Sequence, residues 1–270
     1  MNLGNSEYKL FMMLYTSNNT KRMKKIIINA DDCGLSSHVN HCIEEAIKAG
    51  KISSTTIMAN MDDFEGAKRL YKEFSNVISF GWHINLTAGE PLTYSQLLLD
   101  KGFYVEKEGK VLLNGKKYYK YRLNTEMKDE IKKELTAQCN KLRDNGIIIT
   151  HADGHHHIHM APSMISIMPS LFKELGVSRC RHKKNYGMSR LSNIARNLWT
   201  IPFMMKGVRM PDTLGDFITY YNNPFLYQGK TVELECHPGH PDQRFQEEME
   251  MVYSVDMNDW GAQMITYREL

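Results

Sequence analysis

Four places in the chain carry side chains suited to hydrolytic chemistry. Asp31 and Asp32 are adjacent carboxylates, and His151-Ala152-Asp153-Gly154-His155-His156-His157-Ile158-His159 holds five of the eleven histidines within nine positions. His83 stands in Gly81-Trp82-His83-Ile84-Asn85, and His237 in Glu235-Cys236-His237-Pro238-Gly239. Imidazole is the commonest metal-binding side chain and suits zinc and several other divalent ions. An internal cluster interrupted by Ala, Asp, Gly and Ile is not an expression tag, and one ion cannot take all five of its imidazoles. Paired carboxylates beside such ligands suggest that one binds a metal while the other acts on water. The competing reading is that Asp31-Asp32 caps the next helix with Ser36 or Ser37. His83 and His237, taken singly, read as structural histidines, but their repetition at strand ends argues for one shared site.

The elements that must position these residues follow from hydrophobic periodicity. Lys25 to Ala30 is a β-branched run that reads as a buried parallel strand delivering the aspartates at its C-terminal end. Neighbouring side chains of a strand point to opposite faces, so both aspartates serve one site only where the chain turns, and Gly34 permits that turn. Val39, Cys42, Ile43, Ala46 and Ile47 space a helix over 37–49. Strands are expected at 55–59 and at 77–82, the latter ending at His83, with an amphipathic helix at 64–74 between them. Residues 89–125 lose any sustained period and read as an insertion, either a long loop or a small excursion. Ile131, Leu135, Gln138 and Leu142 then line a helix over 126–145. Further expectations are strands at 147–150, 177–181, 231–236 and 264–266 and a helix at 163–175, with a weakly patterned stretch through Tyr221. Strands alternating with helices and ending in ligand-type residues predict an α/β fold of the (β/α) barrel type, its site on the C-terminal rim. An open doubly wound sheet is the alternative, although no Gly-rich phosphate loop follows the first strand.

Length and composition bound the answer. The 270 residues, 42% hydrophobic, suit one large domain over 25–270. Residues 1–24, with a short apolar patch but no cleavage site, are expected to be a poorly ordered N-terminal extension. The formal charge of +3 is spread among nearly equal numbers of acids and bases; nucleic acid and membrane partners are therefore not expected. Five scattered cysteines without a CxxC pair fit a reduced cytoplasmic setting, and Cys33 reads as a packed thiol. The eighteen methionines read as core and leader filler, and Tyr104, Tyr118, Tyr119 and Tyr121 are weak hints of sugar stacking.

Four stretches in order carry a resemblance: IINADDCGLSSHVNHCIEEAIKAGKISSTTIMAN, GWHINLTAGEPL, THADGHHHIHMAPSM and VELECHPGHPD, running from Ile27 to Asp242. The chain resembles the YdjC/ChbG family of carbohydrate deacetylases. The resemblance implies a distorted TIM-like barrel of the glycoside hydrolase/deacetylase type, one divalent ion (Mg2+ or Zn2+), a homodimer, and removal of the N-acetyl group from chitooligosaccharides or related sugars, phosphorylated ones included. Carried over by position, it implies Asp31 as general base, Asp32, His83 and His155 as metal ligands, and His237 as general acid. Arg181 matches the arginine that positions base or substrate. Asp153 matches a recurrent acid of either supporting or substrate role, and His151, His157 and His159 match the surrounding shell. Cys33 stands where the family has Phe, a change that would reshape the pocket floor without removing a ligand.

Amide hydrolysis needs an activated water, a stabilised oxyanion and a proton for the leaving amine, and this set supplies all three. Two rival readings use the same residues: a metal-dependent phosphoesterase, and a non-catalytic carbohydrate-binding relative. The presence of both Asp31 and His237 argues against the second, because binding alone needs neither.

Overall fold

Three consecutive isoleucines, Ile26, Ile27 and Ile28, stiffen the backbone toward extension and are wholly buried at the centre of the first strand. The computed structural model describes residues 23–224 and 230–270. Most of the expected N-terminal extension lies outside the described residues; Lys24, assigned to it, instead opens β1 (Lys24–Cys33). The other strands are β2 (Ser54–Ile57), β3 (Ser79–Ile84), β4 (Tyr104–Lys107), β5 (Lys110–Leu113), β6 (Ala152–Gly154), β7 (Thr213–Asp216), β8 (Thr231–Cys236) and β9 (Ala262–Met264). The main sheet runs β6-β3-β2-β1-β8-β7, with β9 also on β1, and every pairing in it is parallel. Its ends approach through residues 178–181: Ala152 bridges Cys180, and Arg179 bridges Arg209. The result is a curled half-barrel with distorted closure, as the (β/α) pattern predicts.

Helices α1 (Ser37–Lys48), α2 (Phe64–Phe74), α3 (Gln96–Asp100) and α4 (Thr125–Asp144) follow within the first half. In α1 the expected Val39, Ile43, Ala46 and Ile47 are buried, joined by Asn40, while the expected Cys42 is half-buried. In α4 the expected Ile131, Leu135, Gln138 and Leu142 are all buried. Glu134 beside them is fully buried, and its carboxylate accepts from Leu92 N at 3.1 Å and Thr93 N at 2.7 Å. That contact ties down the insertion at 89–125, which is an excursion built from α3 and the β4–β5 hairpin and packs Leu98, Phe103, Tyr104 and Tyr118 inward.

Several boundaries differ from expectation for identifiable reasons. The strand expected at 147–150 is shifted: Thr150 N donates to Phe80 O and Trp82 N to His151 O, and the strand proper, β6, lies inside the histidine motif. The helix expected at 163–175 is interrupted after a short turn and restarts as α5 (Met168–Glu174), because Pro169 has no N–H and fits only a first helical turn. The strand expected at 177–181 is reduced to bridges, and the last strand falls two residues earlier than 264–266. The weakly patterned stretch contains α6 (Arg190–Met204), β7 and α7 (Phe217–Asn222). After it come β8 and α8 (Gln243–Ser254). Among the described residues no helix is long and apolar enough to cross a membrane.

Candidate active site

The two aspartates reach one site through a bulge. The β1–β2 register shifts between Ala30 and Cys33, and Asp32 sits at φ 66°, the left-handed region that a non-glycine residue enters at a cost of about 1–3 kcal/mol. Gly34 at φ 94° completes the turn. Both carboxylates thereby face the strand tips while staying buried. The capping role proposed as their alternative belongs to Ser36, whose Oγ accepts from Val39 N. Cys33 points its thiol to Asn40 Oδ1 of α1, and burial pushes that thiol's pKa up.

Asp32, His83 and His155 converge. Asp32 Oδ1 lies 2.8 Å from His155 Nδ1 and 3.1 Å from His83 Nε2, and one ligand atom from each falls within 4.8 Å of the others. Asp32 Oδ1 and His83 Nε2 are nevertheless buried without hydrogen-bond geometry to any partner. Buried polar atoms are almost always paired, so a carboxylate oxygen and an imidazole nitrogen left facing a common point fit a cation between them. Asp153 completes the arrangement from below: its Oδ1 holds His83 Nδ1 at 2.7 Å, while Oδ2 accepts from Thr56 Oγ1 at 3.0 Å. A carboxylate on one ring nitrogen keeps the proton there and leaves the other nitrogen free to ligate. Asp31, His83 and Asp153 form a second close group. There the Arg181 guanidinium already lies 2.6 Å from Asp31 and 3.0 Å from Asp153, so the cation of that group is the arginine itself.

Arg181 is fully buried and gives its whole donor fork to acids: both ends to Asp31, at 2.7 and 2.6 Å, and Nε to Glu233 at 2.8 Å. Burial opposes ionisation of Asp31, but this bidentate guanidinium holds its carboxyl well below the usual carboxylate range. Glu233, by contrast, is pushed up to about 7 by burial, which Arg181 only partly offsets, and Tyr267 donates its hydroxyl to it. His237 approaches Asp31 from the other side, with Nε2 3.9 Å from Oδ2, while its Nδ1 lies 3.1 Å from Glu248 Oε2. Burial alone would lower this imidazole; the Glu248 hydrogen bond and the charge of Asp31 raise it to about 9.

The remaining histidines separate by depth. His151 is fully buried one layer below, stacked on Tyr267 at 3.7 Å, with Nε2 3.3 Å from Asn29 Oδ1. Asn29 in turn donates to Asp31 Oδ1 at 2.8 Å, so His151 touches the site only through Asn29. Burial lowers its pKa well below the ordinary value, which keeps the ring neutral. His157 lies 3.5 Å from Glu235, and His159 is buried. Arg181, Asp153 and His151 are thus all wholly buried, and their contacts are to other side chains. Sequence reasoning missed Asn29, Thr56, Glu233 and Glu248. Asn29 with Asp31, and Glu233 with His237, share a strand face at spacings of two or four, a signal present in NAD and ELECH; Glu248 on α8 had none.

Strand tips that gather an Asp/His set, a buried Arg–carboxylate stack and a flanking histidine on a curled parallel sheet define an α/β half-barrel with an acid–base site at its rim. The family model described as YdjC-like protein matches residues 25–263, and the chain belongs to the YdjC-like family. Among curated relatives, a carbohydrate deacetylase of Clostridium beijerinckii is 34% identical over 82% of this chain and 83% of its own. One of Geobacillus stearothermophilus is 30% identical over 90% and 96%. A chitooligosaccharide deacetylase of Yersinia enterocolitica is 34% identical over 81% and 83%. Among solved structures, an Enterococcus faecalis protein described as a proposed cellobiose-phosphate cleavage protein superposes with TM-score 0.71 at 22% identity, covering 92% of this chain and 99% of that one. At that identity the likeness speaks for the fold alone.

Proposed function

We propose that this protein is a metal-dependent carbohydrate deacetylase that hydrolyses the N-acetyl group of an amino sugar, chitooligosaccharides and their phosphorylated relatives being the substrate class. The observation that carries the reading is the pairing of the Asp32/His83/His155 set, in which Asp32 Oδ1 and His83 Nε2 are buried and unsatisfied, with a separate acid–base pair, Asp31 and His237, 3.9 Å apart. The names of the 30–34% identical relatives support it. Asp32, His83 and His155 would hold the ion, and two imidazoles with one carboxylate suit Zn2+ better than the all-oxygen preference of Mg2+. When bound, a divalent ion supplies Lewis-acid polarisation of the acetyl carbonyl and a water of lowered pKa.

The chain's own residues do the rest. Asp31, kept ionised and fixed in orientation by Arg181, accepts the proton of the attacking water. His237, an imidazolium at neutral pH, donates from Nε2 to the sugar nitrogen as the C–N bond breaks, and Glu248 on Nδ1 holds the ring and stabilises its charge. A cytoplasmic homodimer accompanies the reading, as the family resemblance implies and five unpaired cysteines accord with.

The test is acetate release from N-acetylated mono- and disaccharides, with and without a 6-phosphate, after loading with zinc or magnesium. Zinc-dependent acetate release is the expected result. Orthophosphate release without acetate would overturn the reading in favour of a phosphoesterase.

A further inference from the structure

We infer that the outer face of α6 docks the protein on an anionic membrane surface. Leu191, Ile194, Leu198, Ile201 and Met205 follow one another at steps of three and four, which sets them in one stripe along the helix and its cap. They are exposed by 81%, 50%, 60%, 42% and 80% respectively. The opposite face is the one that packs: Phe203 is buried with its ring 5.8 Å from that of Phe172, and Trp199 Nε1 donates to Met160 O at 3.2 Å. The outward stripe, half or more exposed at four of its five positions, therefore has little share in holding the helix to the barrel.

The charge around it selects the occupant. From His182 to Pro211 there is no Asp or Glu; of the bases there, Lys184 pairs with Asp216, Arg196 donates to Lys184 O and Lys183 lies over the Trp199 ring. Arg190 and Lys206 are exposed at the two ends of the stripe. An apolar stripe with an exposed cation at each end suits the boundary of an anionic lipid layer, where leucines enter the acyl region and the cations meet phosphate headgroups. A second copy of the same helix fits worse. About fifteen residues make a rod of roughly 22 Å, and a stripe ~10 Å wide along it offers about 220 Å2, against the ~800 Å2 per partner of a stable interface. Antiparallel pairing would also set Arg190 against Lys206 of the other copy. The membrane partner excluded on overall charge balance thus returns as a local property of one helix, which lies on the layer and does not span it. Docking would also hold the site near that layer, because α6 is fastened to Met160, the last residue of the turn that begins with His155.

The test is co-sedimentation of the full-length protein with vesicles of phosphatidylcholine alone or mixed equally with phosphatidylglycerol, at low and physiological salt. The wild type is expected to partition to the anionic vesicles only, less so as salt rises. Leu191→Gln/Leu198→Gln and Arg190→Gln/Lys206→Gln should each lower that partition about tenfold or more, with far-ultraviolet circular dichroism unchanged. Partition of the wild type no better than to neutral vesicles, or equal partition of folded variants, would overturn the proposal. So would a lipid-free dimer that the leucine double variant turns into monomer, since the occupant would then be a second copy. None of these readouts depends on deacetylation.

Discussion

Arg181 and the helix Arg190–Met204 stand a few residues apart in the chain and treat charge and apolar surface in opposite ways. Arg181 is a cation with no exposed surface, answered by Asp31, Asp153 and Glu233 within 3.0 Å. On α6 Arg190 stands in water and the leucines are exposed. A buried charge is tolerated only where geometry answers it, so the floor of the site is over-determined, and removing one member leaves the others uncompensated. An exposed stripe is answered by nothing inside the molecule, so it is free to change without harm to the fold.

The largest test of that contrast is Asp31→Asn. It removes the proposed base while keeping its shape, and turnover should fall about 10²–10⁴-fold, with zinc content by elemental analysis unchanged. His155→Ala should instead release the ion. Unchanged metal in that variant would sink the ligand set.

Arg181→Ala strands three carboxylates in a dry floor, and denaturant unfolding should register a loss of about 3–5 kcal/mol. Leu198→Gln on α6 should stay within about 0.5 kcal/mol of wild type in the same measurement. Equal losses would erase the distinction between the two regions.

Asp153→Asn is milder. It weakens the brace on His83 Nδ1, and zinc affinity should drop roughly 10–100-fold.

The smallest effect is in the pH profile. As the proposed acid His237 works protonated, so kcat/KM should fall as pH rises through about 9, and Asp31 should place the acidic limb below the usual carboxylate range. Glu248→Gln removes a contribution that raises the His237 pKa, so the alkaline limb should move down toward the ordinary ~6.5 of histidine. The same raised pKa makes His237 a stabilising group below ~6.5 whose contribution is lost as pH climbs through about 9.

Much of this was legible in the residues. The isoleucine run, the 3.6-residue faces of α1 and α4, and the strand-end positions of Asp31, His83 and His237 are local patterns, and local patterns follow from side-chain periodicity. Illegible were the elements whose reasons are not local. Nothing in the spacing of Val177 to Arg181 announces a strand cut down to bridges, and α6 hides from a search for one buried face because its stripe looks outward. Glu248 is eleven residues from His237 on a helix that only packing brings back to the rim.

The sequence by itself determined which chemistries the chain can host: carboxylates and imidazoles in four ordered motifs at the ends of β-type runs, with an acid and a base to spare. Only the tertiary structure decided their division. The bulge at Asp31-Asp32 turns both carboxylates to one side, and after that Arg181 separates them. It neutralises and orients Asp31, while Asp32 is left with an unpaired oxygen facing His83 and His155. That separation rests on contacts 150 residues apart in the chain, and the low-dielectric interior in which those contacts act exists only once the sheet has closed over them.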